Sequence, residues 1–183
     1  NFESWRKVRI ATGEERKEEN KQLMIEAEAA FQQGKKEETR KLFEKICQDS
    51  PEGVLSLTAS QYLAFFDMKE GKKDEAYQCL LPIQKHLADE SICLLHQLAF
   101  EHANDPLVAS LSATCYQFAP SQEVALRNAR SFARLGQPTH AGGWLQTAWQ
   151  HGAFNLEEVL KESSFSKVKD SPDFQEFINP LRQ

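Results

Sequence analysis

With 40% hydrophobic and 27% charged residues, the 183-residue chain has the balance of a folded, soluble domain rather than of a disordered tail. Its net charge of −5 excludes a protein that coats nucleic acid, which needs a surplus of Lys and Arg to release counterions. No apolar run approaches the roughly 18–20 residues of a bilayer span. Cys47, Cys79, Cys93 and Cys115 are scattered without a Cys-x-x-Cys pair and read as reduced, buried thiols, which points to a cytoplasmic location.

The chain starts at Asn1 without an initiator Met, which points to a fragment or a processed chain, with a membrane span or signal upstream left open. Its first stretch, NFESWRKVRIA (1–11), predicts a helix presenting Phe2, Trp5 and Val8, within a capping or linker segment over 1–19. Arg6, Lys7 and Arg9, interleaved with those aromatics, would also suit a segment just cytoplasmic of a membrane.

Beyond it, strand signals are scarce and helical spacing is everywhere. Leu23, Ala27, Ala30 and Phe31 share a face that stops at Gly34; Leu42, Phe43 and Ile46 form the next, closed by DSPEG (49–53). Tyr62, Leu63 and Phe66 lead up to Gly71, and Ala76, Cys79, Leu80 and Ile83 follow on a second helix. Helical spacing then covers Ile92 to Ala103, Leu107 to Phe118, Val124 to Leu135 and His140 to His151. Short breakers part these runs: NDP (104–106), APS (119–121) and LGQP (135–138). Loops this short force antiparallel neighbours, so the predicted fold class is all-α, a succession of helical hairpins.

The hairpins share a register. Gly34-Lys35-Lys36-Glu37-Glu38-Thr39 returns 37 positions on as Gly71-Lys72-Lys73-Asp74-Glu75-Ala76, and Gly136 marks a third such turn. Seven positions before these glycines stand Ala27, Ala64 and Ala129; five after, Thr39, Ala76 and Ala141; twelve after, Ile46, Ile83 and Ala148. Small residues at these places let the two helices of a hairpin approach, and the glycine supplies a positive-φ turn. The lysines and acids beside the glycines read as solvated helix-start chemistry.

This spacing resembles the tetratricopeptide repeat (TPR), a helix–turn–helix unit of about 34 residues. The copies fall at about 20–53, 57–88, 92–120 and 122–152. The first carries Phe43 and Pro51 as well, whereas the third is degenerate, its turn cut to NDP, with only Leu98, Ala99, Cys115 and Pro120 in position. A C-terminal cap over 153–183 resembles the segment that closes many bacterial TPR arrays, through Leu156, Val159, Leu160, Phe165, Val168, Pro172, Phe174 and Phe177. The resemblance implies a right-handed superhelix of antiparallel hairpins with capping helices at both ends.

Catalytic signatures are missing. There is no His-Glu-x-x-His, no nucleophile elbow and no phosphate loop, so neither enzyme activity nor a cofactor is expected. Cys93 and His96 share a helix face, but two ligands fall short of the about four that zinc wants. The adjacent glycines of HAGGW (140–144) read as close packing between helices.

What the resemblance implies instead is a concave face lined by the first helix of each hairpin. In register that face carries Met24, Glu28 and Phe31, then Tyr62, Phe65 and Met68, then His96 and Phe100, then Arg127, Arg130 and Arg134. The partner-binding residues expected from it are Tyr62, Phe65, Met68, His96, Phe100, Arg127, Arg130 and Arg134. Such a surface, apolar at one end and basic at the other, suits a protein or peptide with aromatic or aliphatic anchors and an acidic stretch. TPR proteins that clamp chaperone tails use Lys and Asn where this chain has residues such as Met24, Glu28 and Phe65, so that role is not implied. The expected function is a non-enzymatic interaction scaffold. The alternative is the soluble cytoplasmic part of a membrane-anchored envelope or secretion complex, assembling partners through its ends or by self-association.

Overall fold

The computed structural model describes residues 18–49 and 53–183, and these are all-α: no strand occurs among them. The helices are α1 (18–32), α2 (Lys36–Asp49), α3 (Val54–Lys69), α4 (Lys73–Leu80), α5 (Asp89–Glu101), α6 (Asp105–Phe118), α7 (Gln122–Arg134), α8 (Pro138–Gln150), α9 (Leu156–Leu160) and α10 (Pro172–Ile178). Short 3₁₀ turns follow at Leu81–His86, Ser163–Phe165 and Asn179–Arg182. The helix expected over 1–11 and the closing Pro51 lie outside the described residues.

Four hairpins close in one way. The loops between α1 and α2, α3 and α4, α5 and α6, and α7 and α8 each hold three residues: 33–35, 70–72, 102–104 and 135–137. The middle residue is left-handed in all four: Gly34 (φ 75°), Gly71 (φ 76°), Ala103 (φ 55°) and Gly136 (φ 70°). The amide of each middle residue donates three residues back, Gly34 to the Phe31 carbonyl at 3.0 Å and Ala103 to that of Phe100 at 3.1 Å. The next amide donates five back, Lys35 to Ala30 at 3.0 Å, Lys72 to Asp67 at 2.7 Å, Asn104 to Ala99 at 2.8 Å and Gln137 to Phe132 at 3.0 Å. These paired bonds are the Schellman motif, which satisfies carbonyls that a helix end leaves orphaned. The third hairpin is therefore no shorter than the others; it makes the same turn with alanine in the glycine's place.

Anchoring the third copy on Ala103 brings its register into line. Seven residues before each turn, Ala27, Ala64, His96 and Ala129 are fully buried. Five after, so are Thr39, Ala76, Val108 and Ala141, and twelve after, Ile46, Cys115 and Ala148 are buried as well. Ile83 departs from this expectation. Pro82 lacks an amide proton and its ring clashes with the preceding turn, so α4 ends at Leu80, the chain tightens into 3₁₀, and Ile83 (φ −106°, ψ 17°) is only half-buried.

Two compact units divide the chain, Asn1–Leu87 and Ala88–Gln183. In the first, Met24 and Ala27 of α1 meet Phe43 and Ile46 of α2 and Ala59, Leu63 and Phe66 of α3. A buried Asp67 on α3 takes Arg40 of α2 at 2.9 Å, tying the two hairpins of this unit side to side. In the second, Ala129, Phe132 and Ala133 of α7 and Ala141 and Leu145 of α8 are covered by Leu156, Phe165, Val168, Phe174 and Ile178 of the C-terminal segment. Gly142 lets α10 come close: a Cβ there would lie 2.7 Å from Phe177 Cδ2 and 2.9 Å from its Cβ. Of the pair in HAGGW only Gly142 is so constrained, since Gly143 faces open space.

Two comparisons by urea unfolding check this register. Left-handed alanine costs about 1–2 kcal/mol, partly offset by the greater unfolded-state freedom of glycine, so Ala103→Gly should stabilise by about 0.5–1 kcal/mol and Gly136→Ala should destabilise by a similar amount. Ala76→Leu and Gly142→Ala should each cost about 1–3 kcal/mol through overpacking. Lys72→Ala, at an exposed turn position, should be nearly neutral.

Candidate functional site

In the first unit, the expected residues lie on α3 beside α1. Tyr62 and Phe65 are exposed, Met68 is half-buried, and Phe31 on α1 is exposed at 48%. The aromatics are not loose. Tyr62 stacks flat on the core ring of Phe43 at 5.0 Å, and Phe31 meets Phe66 in a T-shaped pair at 5.7 Å. Tyr62 and Phe31 are thus part-exposed yet held against core rings, which restricts their rotamers. Met24, expected on the same face, is a core residue instead, turned towards Ala27, Phe43 and Ile46.

In the second unit the expected residues come together, but in three different roles. His96 does not face solvent: it is fully buried, at the position where the other hairpins have alanine. An imidazole in place of a methyl group needs polar partners. It finds Asn128 on α7, whose Oδ1 lies 2.5 Å from Nε2, and Arg127, whose Nη1 lies 3.1 Å from Nδ1. Since the Asn128 oxygen accepts and the guanidinium donates, the proton sits on Nε2 and Nδ1 accepts. Asn128 passes the chain on by donating from Nδ2 to the Ser112 carbonyl of α6 at 3.4 Å. Burial pushes the His96 imidazole down to about 4, with Asn128 opposing the shift and the Arg127 charge adding to it.

Arg127 is thus buried and pinned from behind by His96, while its Nη2 meets the exposed Glu123 carboxylate at 3.1 Å. Arg130 is half-buried and makes a bidentate pair with Glu162, Nε to Oε2 at 2.8 Å and Nη2 to Oε1 at 2.9 Å. Arg134 lies over the Phe100 ring, its Cζ 4.9 Å from the centroid, and donates to Asp105 Oδ1 at 3.3 Å and Ser164 Oγ at 3.1 Å. Lys167 Nζ donates to the Arg134 carbonyl at 3.0 Å. The arginine stripe of α7 is therefore a built cation row whose outer side is lined by the segment 162–167.

A pocket of about 200 Å³ opens between α5 and α7, lined by Gln97, Phe100, Glu101, Glu123, Arg127 and Arg130. It joins three of the expected residues to Glu123, which the sequence already offers as a partner for the arginines, and to Gln97 and Glu101. Gln97 and Glu101 lie on the same face of α5 as Phe100 and could have been found from the period. Asn128 and Glu162 could not: each lies 32 residues from its partner, His96 and Arg130.

Among the described residues no group of three or more His, Cys, Asp and Glu side chains is placed to hold a metal ion, and none of the helices is long and apolar enough to cross a membrane. The four thiols are free; burial pushes Cys47 and Cys79 up, and it pushes Cys115 up to about 12, the neighbouring Cys93 adding to the rise. No protein-family model and no curated protein matches the chain.

The depressed pKa of His96 has a definite sign. Between its ordinary value of 6.5 and about 4 the unfolded chain takes up a proton that the folded one refuses, so stability is lost as pH falls through that window and stays level below it. The loss amounts to about 3 kcal/mol. His96→Ala should cost about 2–4 kcal/mol at pH 7, from the cavity and the partners left behind. That cost should shrink by about 3 kcal/mol at pH 4, measured as the difference between the two unfolding curves at each pH.

Proposed function

We propose that this chain is a non-enzymatic TPR-like scaffold, a superhelix of hairpins that binds a partner protein or peptide on the first helices of its repeats. The observation that carries the reading is the common register: four left-handed turns closed by the same bonds, the positions seven before and five after each turn buried in all four hairpins, and side chains on α1, α3, α5 and α7 left to vary. A repeat that spends its invariant positions on packing leaves the variable face as the place where recognition can be written. On the first helices stand the exposed aromatics Phe31 and Tyr62, each set against a core ring, and exposed Phe65 in the first unit, and a pocket with Phe100, Arg127 and Arg130 in the second. Aromatic rings and arginines are the residues that dominate binding energy at protein interfaces. A phenylalanine anchor contributes roughly 1.5–3 kcal/mol on burial, and ordering costs consume part of it, which places a short peptide in the micromolar range.

The test uses the native cell's lysate and three baits: the wild-type chain, Tyr62→Ser/Phe65→Ser, and Arg130→Gln. Exposed and half-exposed positions are chosen so that the variants keep their fold; buried Arg127 is left alone. A partner held by the wild type and lost by either variant is the expected outcome. Equal retention by all three would move the interaction off this face.

A further inference from the structure

Arg130 already holds a carboxylate. Its Nε and Nη2 donate side by side to Glu162 at 2.8 and 2.9 Å, the fork geometry with which an arginine takes an acidic ligand. Arg130 lines the pocket between α5 and α7, yet Glu162 comes from outside that pocket, from the bend between α9 and the 3₁₀ turn Ser163–Phe165. We infer that Glu162 is the chain's own occupant of a partner's carboxylate position, and that an acidic side chain of a bound peptide displaces it. The inference rests on the partner-binding reading of the first-helix face.

Three features favour exchange over a permanent clasp. The pair is part-exposed on both sides, 27% for Arg130 and 34% for Glu162, so water can take over either group as the other leaves. The backbone at Glu162 does not depend on the ion pair, because Phe165 and Val168 just beyond it are buried in the core. Glu162 can therefore swing away while its segment stays docked, and it remains a tethered competitor at high effective concentration. The neighbouring cation differs: Arg127 is buried, fixed by His96 and paired with Glu123, so it stays in place whatever Arg130 is doing and leaves Arg130 as the arginine open to exchange. Phe100, with the Arg134 guanidinium stacked over it, supplies the apolar wall. The occupant that fits is a peptide pairing an aspartate or glutamate with an adjacent apolar side chain. Removing the competitor should strengthen such binding about three- to tenfold, as expected when Arg130 is free only a minor fraction of the time.

The experiment titrates the full chain into a fluorescein-labelled octapeptide of alternating phenylalanine and glutamate, acetylated and amidated, and into its phenylalanine–glutamine counterpart, reading anisotropy. Glu162→Gln is expected to bind the acidic peptide about three- to tenfold more tightly than the wild type, with Glu162→Asp, too short for the bidentate pair, giving a smaller gain. Arg130→Gln should erase the gain in the double variant, and the glutamine peptide should not distinguish Glu162→Gln from the wild type. In the wild type itself, the Nε–H resonance of Arg130 should move as the acidic peptide saturates. If the acidic peptide binds with equal or lower affinity to Glu162→Gln and the Arg130 resonance stays put, the competition is overturned and the partner-binding face survives. If neither peptide binds any variant, the pocket as a peptide site is overturned along with it.

Discussion

Each hairpin depends on one left-handed residue placed just past the end of its first helix. At Gly34, Gly71, Ala103 and Gly136 the chain reverses through the same pair of backbone bonds, and the second helix starts two residues later. A turn this short leaves no freedom in how the second helix returns. The residues at fixed offsets from it must therefore face each other, and they must be small or well matched. That is why alanine, threonine and valine recur in buried positions that otherwise share no sequence.

Against that constraint His96 is the exception that organises the second unit. An imidazole stands where three other hairpins carry alanine, and its two nitrogens recruit Asn128 and Arg127 from the neighbouring helix. Breaking such a buried polar chain would strand several groups at once, so it specifies the pairing of α5 with α7 more sharply than apolar contact would. The same chain holds the Arg127 guanidinium in one orientation at the floor of the pocket. The packing of α5 on α7 and the placing of the Arg127 guanidinium are thus joined in one buried residue.

The expected binding residues of the two units are held differently. Phe31, Tyr62 and Phe65 in the first unit are open to solvent, and the first two are braced by core rings. In the second unit every arginine of the stripe already has an internal carboxylate: Glu123, Glu162 or Asp105. An apolar surface can bind as it stands, whereas a cation row already engaged can bind only by exchange. The two regions would therefore respond differently to salt, which screens part-exposed ion pairs and leaves apolar contact almost untouched.

The all-α class, the positions of the turns and most buried sites were legible in the sequence, because helical period, glycine and proline act over a few residues. The local chemistry that ends a helix needs no knowledge of the rest of the chain. Ala103 leaves no such mark, because alanine adopts positive φ only where its surroundings impose it, and Ile83 falls short of its expected burial because Pro82 ends the helix before it. What the arginines do was decided by the tertiary structure alone. Period placed Arg127, Arg130 and Arg134 on α7, but their roles come from His96, Glu162 and Phe100, which lie about 30 residues away in either direction. Charge partners separated by whole helices leave no periodic trace, since only folding brings them within hydrogen-bonding distance.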